Sequence, residues 1–420
     1  MKSLTNALSK KWTLLTLISI FIFSACQKQI EQPQDHEDRN TTSGDRNEMA
    51  IVKTINVSNL DQLYDAINDP ENSASRIVLS TGVYILNASY PNAGRLELLE
   101  NMTLRGQPGH PEQVIIDASQ LPAASFNPPL NFPAVRTGAI RMGRGSNAIE
   151  WLTVKGNSSA TALSVIDTDL IWAGGSHIRI AHSIVTGGRI GIDIRNVGIA
   201  SAGRILETEI TDNELVENQV QFGQGIEIQN ANGASGAVIH AILNGNYVHG
   251  NKIGLRAFNN NANNTKTDFG SITIQSKADR FEGNGIGIYL SAGLNQGANT
   301  TANGNLLSFE AYGTSIRNNS GTLPPEAIPA CEIYAVGGLS TIGGIASHNK
   351  LEVNFSGCII SGNNRSDIIS YGAFSFAAVP AGINNVVEIQ LHGVSKNATV
   401  ATTSSLPIEL AGTNSINIFR

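Results

Sequence analysis

Four side chains hold the same place in successive copies of one phrase. They are Asp193 in Ile190-Gly-Ile-Asp-Ile, Glu227 in Gly225-Ile-Glu-Ile, Arg256 in Ile253-Gly-Leu-Arg-Ala and Tyr289 in Ile286-Gly-Ile-Tyr-Leu. Successive side chains of a strand point to opposite faces. With the Ile and Leu residues facing in, Asp193, Glu227, Arg256 and Tyr289 face out as neighbouring rungs of one stripe, and Ser164 is placed to start it. Two adjacent carboxylates, Asp193 and Glu227, could hold Ca²⁺, which prefers several oxygen ligands. The arginine beside them could neutralise a uronic acid or abstract from it. The plainer reading, favoured on sequence, is a solvated cross-strand salt-bridge ladder worth less than about 1 kcal/mol per pair. Asp167-Thr-Asp169 is the nearest other approach to a carboxylate pair, but it stands at a strand end beside Trp172 and has no evident partners. His177, His182, His240 and His249 fall at different offsets of the repeat without metal-ligand spacing.

The elements that position this stripe are set by a second, shorter phrase, Asn-x-aliphatic-x-x-Asn. It runs from Asn213 to Asn218, Asn246 to Asn251, Asp279 to Asn284, Thr314 to Asn319, Cys358 to Asn363 and His392 to Asn397. Earlier copies close at Asn157 and Gly188. The closing residues Asn157, Gly188, Asn218, Asn251, Asn284, Asn319, Asn363 and Asn397 are spaced mostly by roughly 30 to 35 positions, the period of a stacked-repeat architecture. Three residues ahead of each stands an apolar side chain, Val154, Val185, Leu215, Val248, Phe281, Ile316, Ile360 or Val394, so that position points inward. Asn and Gly tolerate left-handed backbone angles, so the closing residue is expected to make one recurring turn. Stacked at a strand spacing of roughly 4.8 Å, the Asn amides would bond to one another as a ladder.

In this repeat the chain resembles the right-handed parallel β-helix of the pectin lyase-like superfamily, over roughly residues 75 to 420. The resemblance implies an all-β, single-stranded solenoid. It also implies a substrate groove where the outward stripe lies, as in pectate lyases. The catalytic motifs of the enzyme families are missing. There is no Asn-Thr-Asp, Gly-Asp-Asp or Gly-His-Gly set as in polygalacturonases, whose inverting hydrolysis needs clustered carboxylates. Nor is there a Trp-Ile-Asp-His or Arg-x-Pro-x-x-Arg phrase as in classical pectate lyases.

Composition agrees with a turn-rich all-β chain: 42 Gly among 420 residues and only 15% charged. The net charge of −6 gives no basic footprint for nucleic acid. Three cysteines cannot make a disulfide framework. Lys2, Lys10 and Lys11 precede a short apolar run that ends in Phe23-Ser-Ala-Cys26, a pattern that looks like a bacterial lipobox. The expectation is a signal peptide over 1–25, acylation of Cys26, and anchoring at the cell envelope, most naturally the outer membrane; an acyl chain contributes about 0.8 kcal/mol per buried methylene. Residues 26–50 carry almost no apolar side chains and are expected to be a disordered tether. Their acidic residues resemble the surface-export tails of Bacteroidota lipoproteins.

The body, 51–420, opens with an amphipathic stretch at 58–68. Leu60, Leu63, Tyr64 and Ile67 share one helical face, and Ser58 with Asp61 suits a cap. A helix there would cover the first coil and protect an open sheet end. The Pro-rich stretch 119–137 reads as an excursion, as do 230–236, 259–270, 293–304, 321–329 and 338–349, rich in Gly, Asn, Thr and Ala. Cys331 and Cys358 fall in neighbouring coils, and stacked buried thiols are favoured over a disulfide. The function expected from all this is an envelope-anchored β-helix that binds polysaccharide or serves structurally. The alternatives are a lyase or hydrolase acting on uronic-acid polymers through Asp193, Glu227, Arg256 and Tyr289, and a surface adhesin, for which the final strand-like Ser415-Ile-Asn-Ile-Phe-Arg420 would serve. No cofactor is expected beyond Ca²⁺.

Overall fold

The computed structural model describes residues 53–420 except 127–137, 159–163, 171–174, 220–222, 262–264, 297–299, 322–330, 341–343, 363–365, 376–381, 395–398 and 407–413. Residues 1–52 are not among these, so the expected signal peptide, Cys26 and the expected tether lie outside the described residues. The unit from Met49 onward winds as a right-handed parallel β-helix, with every strand pair parallel. Among the described residues its coils build three sheets of 12, 9 and 10 strands, here sheets I, II and III. A complete coil visits them in that order. One such coil is Ile205–Thr211, Glu214–Val216 and Gln224–Ala231; the next is Val238–Asn244, Tyr247–His249 and Ile253–Asn261.

The interior is a stack of aliphatic columns. Ile192, Ile226, Leu255, Ile288 and Ile333 form one, each fully buried and paired in register with the next. Val185, Leu215, Val248, Phe281 and Ile316 form the column read from the short phrase. Each side chain so buried contributes roughly 1.5–3 kcal/mol, and no coil can bury its own face without its neighbours. A helix over Leu60–Asn68 covers the first coil, burying Leu63, Tyr64, Ala66 and Ile67. Its cap is Asn59, whose side chain accepts from the Gln62 N–H at 2.9 Å, and not Ser58 with Asp61. Ser58 instead donates to the Gln62 side chain.

The corners follow one rule, and it differs by one residue from the sequence expectation. The left-handed residue is the one before the ladder position. Between sheets II and III it is Gly187, Glu217, Gly250, Gly283 and Asn318, with φ from 59° to 73°. Between sheets I and II it is His182, Asp212, Gly245, Ala278, Gly313 and Gly357. The closing Asn is there for its amide. Asn218 Nδ2 donates to Asn251 Oδ1 at 2.9 Å, and Asn251 Nδ2 to Asn284 Oδ1 at 3.1 Å. The Asn284 N–H donates to Asn319 Oδ1 at 2.8 Å. Gly188 joins only through its backbone N–H, which donates to Asn218 Oδ1, while Asn157 donates to the Leu121 carbonyl instead. Asn363 and Asn397 lie outside the described residues.

The first residue of the short phrase makes a second ladder, in which Asn213 donates to Asn246 and Asn246 to Asp279. Two further ladders stand between sheets III and I: Asn196–Asn230–Asn259 and Asn305–Asn349–Asn385–Asn414. The expected excursions are shorter than their sequence bounds, because sheet III strands run on to Ala231, Asn261, Asn295 and Ser340. Cys331 and Cys358 are both buried free thiols. They are not stacked: Cys358 belongs to the interior core, whereas Cys331 belongs to an apolar cluster on the outward side of sheet III.

Candidate functional site

Sheet III carries the stripe. In register across successive coils lie Glu97, Arg141, Asp167, Asp193, Glu227, Arg256, Tyr289, Tyr334 and Ile369. The four residues singled out from sequence are thus neighbours on one outward face. Ser164 is not a rung of this row. Its register partner is Ile190, and it reaches the row by donating from Oγ to Asp193 Oδ2 at 3.1 Å.

The stripe is not a solvated ladder. Asp193 is fully buried, and Glu227 and Tyr289 are 2% and 3% exposed. Asp167 is likewise fully buried, and far from lacking partners it meets Arg195, whose Nε donates to Oδ1 at 3.1 Å and whose Nη2 donates to Oδ2. The same guanidinium lies 3.3 Å from Asp169 and 3.2 Å from Asp193. Arg141 bridges Glu97 and Asp169. Gln229 donates to Glu227 at 2.7 Å and to Asp193 at 3.3 Å. Arg256 stands 3.6 Å from Glu227 and lies over the rings of Phe258 and Tyr289, at 4.4 and 5.2 Å. Trp172 lies outside the described residues.

Arg195 is the centre of this network, and the sequence reading missed it. The signal was available: Arg195 follows Asp193 by two positions and so shares its face. Burial alone would lower a guanidinium, but Asp167, Asp193 and Asp169 outweigh it and hold Arg195 charged. Burial pushes the Asp167 carboxyl well up, against the pull of Arg195. The donor set does not fit Ca²⁺. The oxygens of Asp193 and Glu227 are taken by Ser164, Gln229, Arg195 and Arg256, and among the described residues no group of three or more His, Cys, Asp or Glu is disposed to hold a metal.

A different face offers side chains to solvent. In sheet I the strands Leu306–Tyr312, Lys350–Ser356 and Val386–His392 alternate buried and half-buried positions. Their outward residues line up as Ser308, Glu352 and Glu388 in one row and Glu310, Asn354 and Gln390 in the next. These six line a shallow cleft. Lys350 Nζ lies 2.5 Å from Glu352 and 3.1 Å from Glu388, and the Tyr312 hydroxyl donates to Glu310 at 3.0 Å. The side-chain oxygen of Asn354 is shielded from solvent and has no hydrogen-bond partner among the described residues. Sequence reasoning passed over this cleft, although Ser308 and Glu352 each stand six residues ahead of the first residue of a short phrase, Thr314 and Cys358.

No family model and no curated protein matches the chain. It is similar to the crystal structure of the Agl-KA catalytic domain, with 12% identity and a TM-score of 0.38, over 86% of this chain. The chain spans 65% of that domain's length, less than two thirds. A likeness this loose carries no argument about either site.

Proposed function

We propose that this chain is a glycan-binding β-helix held at a bacterial cell envelope by acyl chains on Cys26, with an extended polysaccharide lying along the outward face of sheet I. The observation that carries the proposal is the cleft of Ser308, Glu310, Glu352, Asn354, Glu388 and Gln390, and within it the shielded, unpartnered oxygen of Asn354. A shielded acceptor without a donor is costly, and a turn of the half-buried Asn354 side chain would bring it to a ligand hydroxyl. Parallel strands repeat the same outward positions at a spacing of roughly 4.8 Å, close to the scale of one sugar ring, so a linear polymer can meet the same donors and acceptors in succession. Three glutamates against one lysine favour a neutral, hydroxyl-rich polymer over a polyuronate. The resemblance to the pectin lyase-like superfamily supports a carbohydrate ligand.

The test is binding of the full chain to neutral and uronic-acid polysaccharides, with and without Ca²⁺. Neutral glycans bind, and Asn354→Ala weakens binding about tenfold, the size of one lost hydrogen bond. Release of unsaturated uronate that disappears in Arg256→Ala would replace this reading with a lyase acting on sheet III. Cys26→Ser is expected to move the chain from the membrane fraction to the soluble one.

A further inference from the structure

Every carboxylate of the sheet III network meets a guanidinium, but two buried carboxylates farther along the same sheet do not. Glu332 is fully buried and Asp367 is 4% exposed. They hold adjacent rungs: Ile333 and Ile368, the residues that follow them, are register partners, and the Ile333 N–H donates to the Asp367 carbonyl at 2.9 Å. Among the described residues no Lys, Arg or His pairs with either.

Glu332 comes next in a column after Gly191, Gly225, Gly254 and Gly287. A Cβ at any of these glycines would crowd the Nδ2 of a ladder Asn, at 3.1 Å for the first three and 2.7 Å at Gly287. At Glu332 the side chain instead enters the ladder. It accepts from the Asn319 N–H at 3.3 Å and from Asn319 Nδ2, the two bonds that an asparagine would take there. A carboxylate can do this as an acceptor but has no proton to pass on. Asp367 Oδ2 accepts from the Thr399 N–H at 2.8 Å and the Thr399 hydroxyl at 2.9 Å, while its Oδ1 is buried without a partner among the described residues.

Two ionised carboxylates on adjacent rungs, out of water and with no counter-charge among the described residues, oppose each other and their own burial. One proton answers both problems and gives the orphaned oxygen its donor. We infer that Glu332 holds its proton at neutral pH and turns it toward the Asp367 carboxyl on the next rung, and that this contact is a clasp on the ladder of closing asparagines that loosens as pH rises.

The surroundings agree. Burial first, with the Asp367 charge adding to it, pushes Glu332 up to about 7 against the hydrogen bonds from Asn319. Cys331 on the same strand is itself pushed up by burial and by Glu332. Its own coil presents Asn319, the preceding coil Gly287, the following coil Asp367 and the coil after that Thr399, and Tyr371 is raised by burial and by Cys331. The folded state thus holds a proton that the unfolded chain releases nearer the ordinary carboxyl range. Stability is full below that range and is lost as pH rises through about 7.

The experiment is urea unfolding of the full chain from pH 5 to 8.5, with Glu332→Gln, Asp367→Asn and Asp279→Asn beside the wild type. The wild-type midpoint falls as pH rises from 5 to about 7 and levels off above that. Glu332→Gln, which supplies a donor to Asp367 at every pH, flattens that fall. Asp367→Asn removes the repulsion and moves the fall to lower pH, and this variant decides the matter should Glu332→Gln not fold. Asp279→Asn, which alters a group titrating at about 6, leaves the fall between pH 6 and 7 in place. A wild-type slope retained in Glu332→Gln, or a profile unmoved in Asp367→Asn, overturns the inference. So does a midpoint at pH 8 that rises with added Ca²⁺ in the wild type and not in Glu332→Gln, which would place a cation where we place the proton.

Discussion

The outward face of sheet III is mostly buried, yet its two halves use opposite chemistry in the same rows. From Glu97 to Arg256 the rungs are carboxylates and guanidiniums centred on Arg195. From Tyr289 onward they are aromatic and aliphatic, with Tyr289 and Tyr334 stacked at 5.1 Å and Tyr371 tilted against Tyr334 at 5.7 Å. Arg256 is the seam, a charge paired with Glu227 on one side and laid over Phe258 and Tyr289 on the other. A parallel stack fixes which positions face out but leaves their chemistry free. The aromatic half gains from contact and area. The charged half gains little net energy over an apolar equivalent but is intolerant of losing one member.

Breaking the centre of the charged half should cost most. Arg195→Met leaves Asp167, Asp169 and Asp193 buried without their guanidinium, an expected loss of about 3–5 kcal/mol by chemical denaturation. Adding Asp167→Asn to that variant should recover part of the loss, since it removes one of the stranded charges. A double variant no better than the single would mean that Arg195 acts through packing alone. In the aromatic half, Tyr334→Ala opens a cavity and should cost about 3 kcal/mol, with no companion substitution of a charge able to recover it.

The asparagine ladder between sheets I and II supplies an internal contrast, a charge in an otherwise neutral column. Burial pushes Asp279 up to about 6 although Asn246 and Ser276 donate to it. The folded state therefore favours the protonated form, and stability present below the ordinary Asp range is lost as pH rises through about 6. Asp279→Asn should raise stability at pH 8 by about 2–3 kcal/mol and have little effect at pH 4, measured by unfolding at both values. The smallest effect is expected at the seam. Arg256→Lys keeps the charge but loses the planar stack, for about 1 kcal/mol.

Much of this fold is legible in the sequence because a solenoid repeats its local rules. The spacing of residues 218, 251, 284 and 319 marks the coils, and the aliphatic residue three positions earlier marks the core. The left-handed position was misplaced by one because Gly and Asn occur side by side, and only the backbone angles separate the residue that turns from the residue that bonds. The row Asp193, Glu227, Arg256, Tyr289 was legible from period-two alternation. Its burial was not, because alternation says which way a side chain points and nothing of what lies beyond it. Arg195 and the sheet I cleft were within reach of the same alternation, read two positions further along one strand and one sheet earlier in the coil.

The central claim is that ligand meets the open face of sheet I while the charged face of sheet III holds the structure together. The direct measurement is a binding titration of one neutral polysaccharide against the full chain, its Glu352→Gln/Asn354→Ala variant and its Glu227→Gln variant. The account predicts affinity lost in the first variant and kept in the second. Affinity kept in the first and lost in the second, in chains shown to be equally folded, would contradict it.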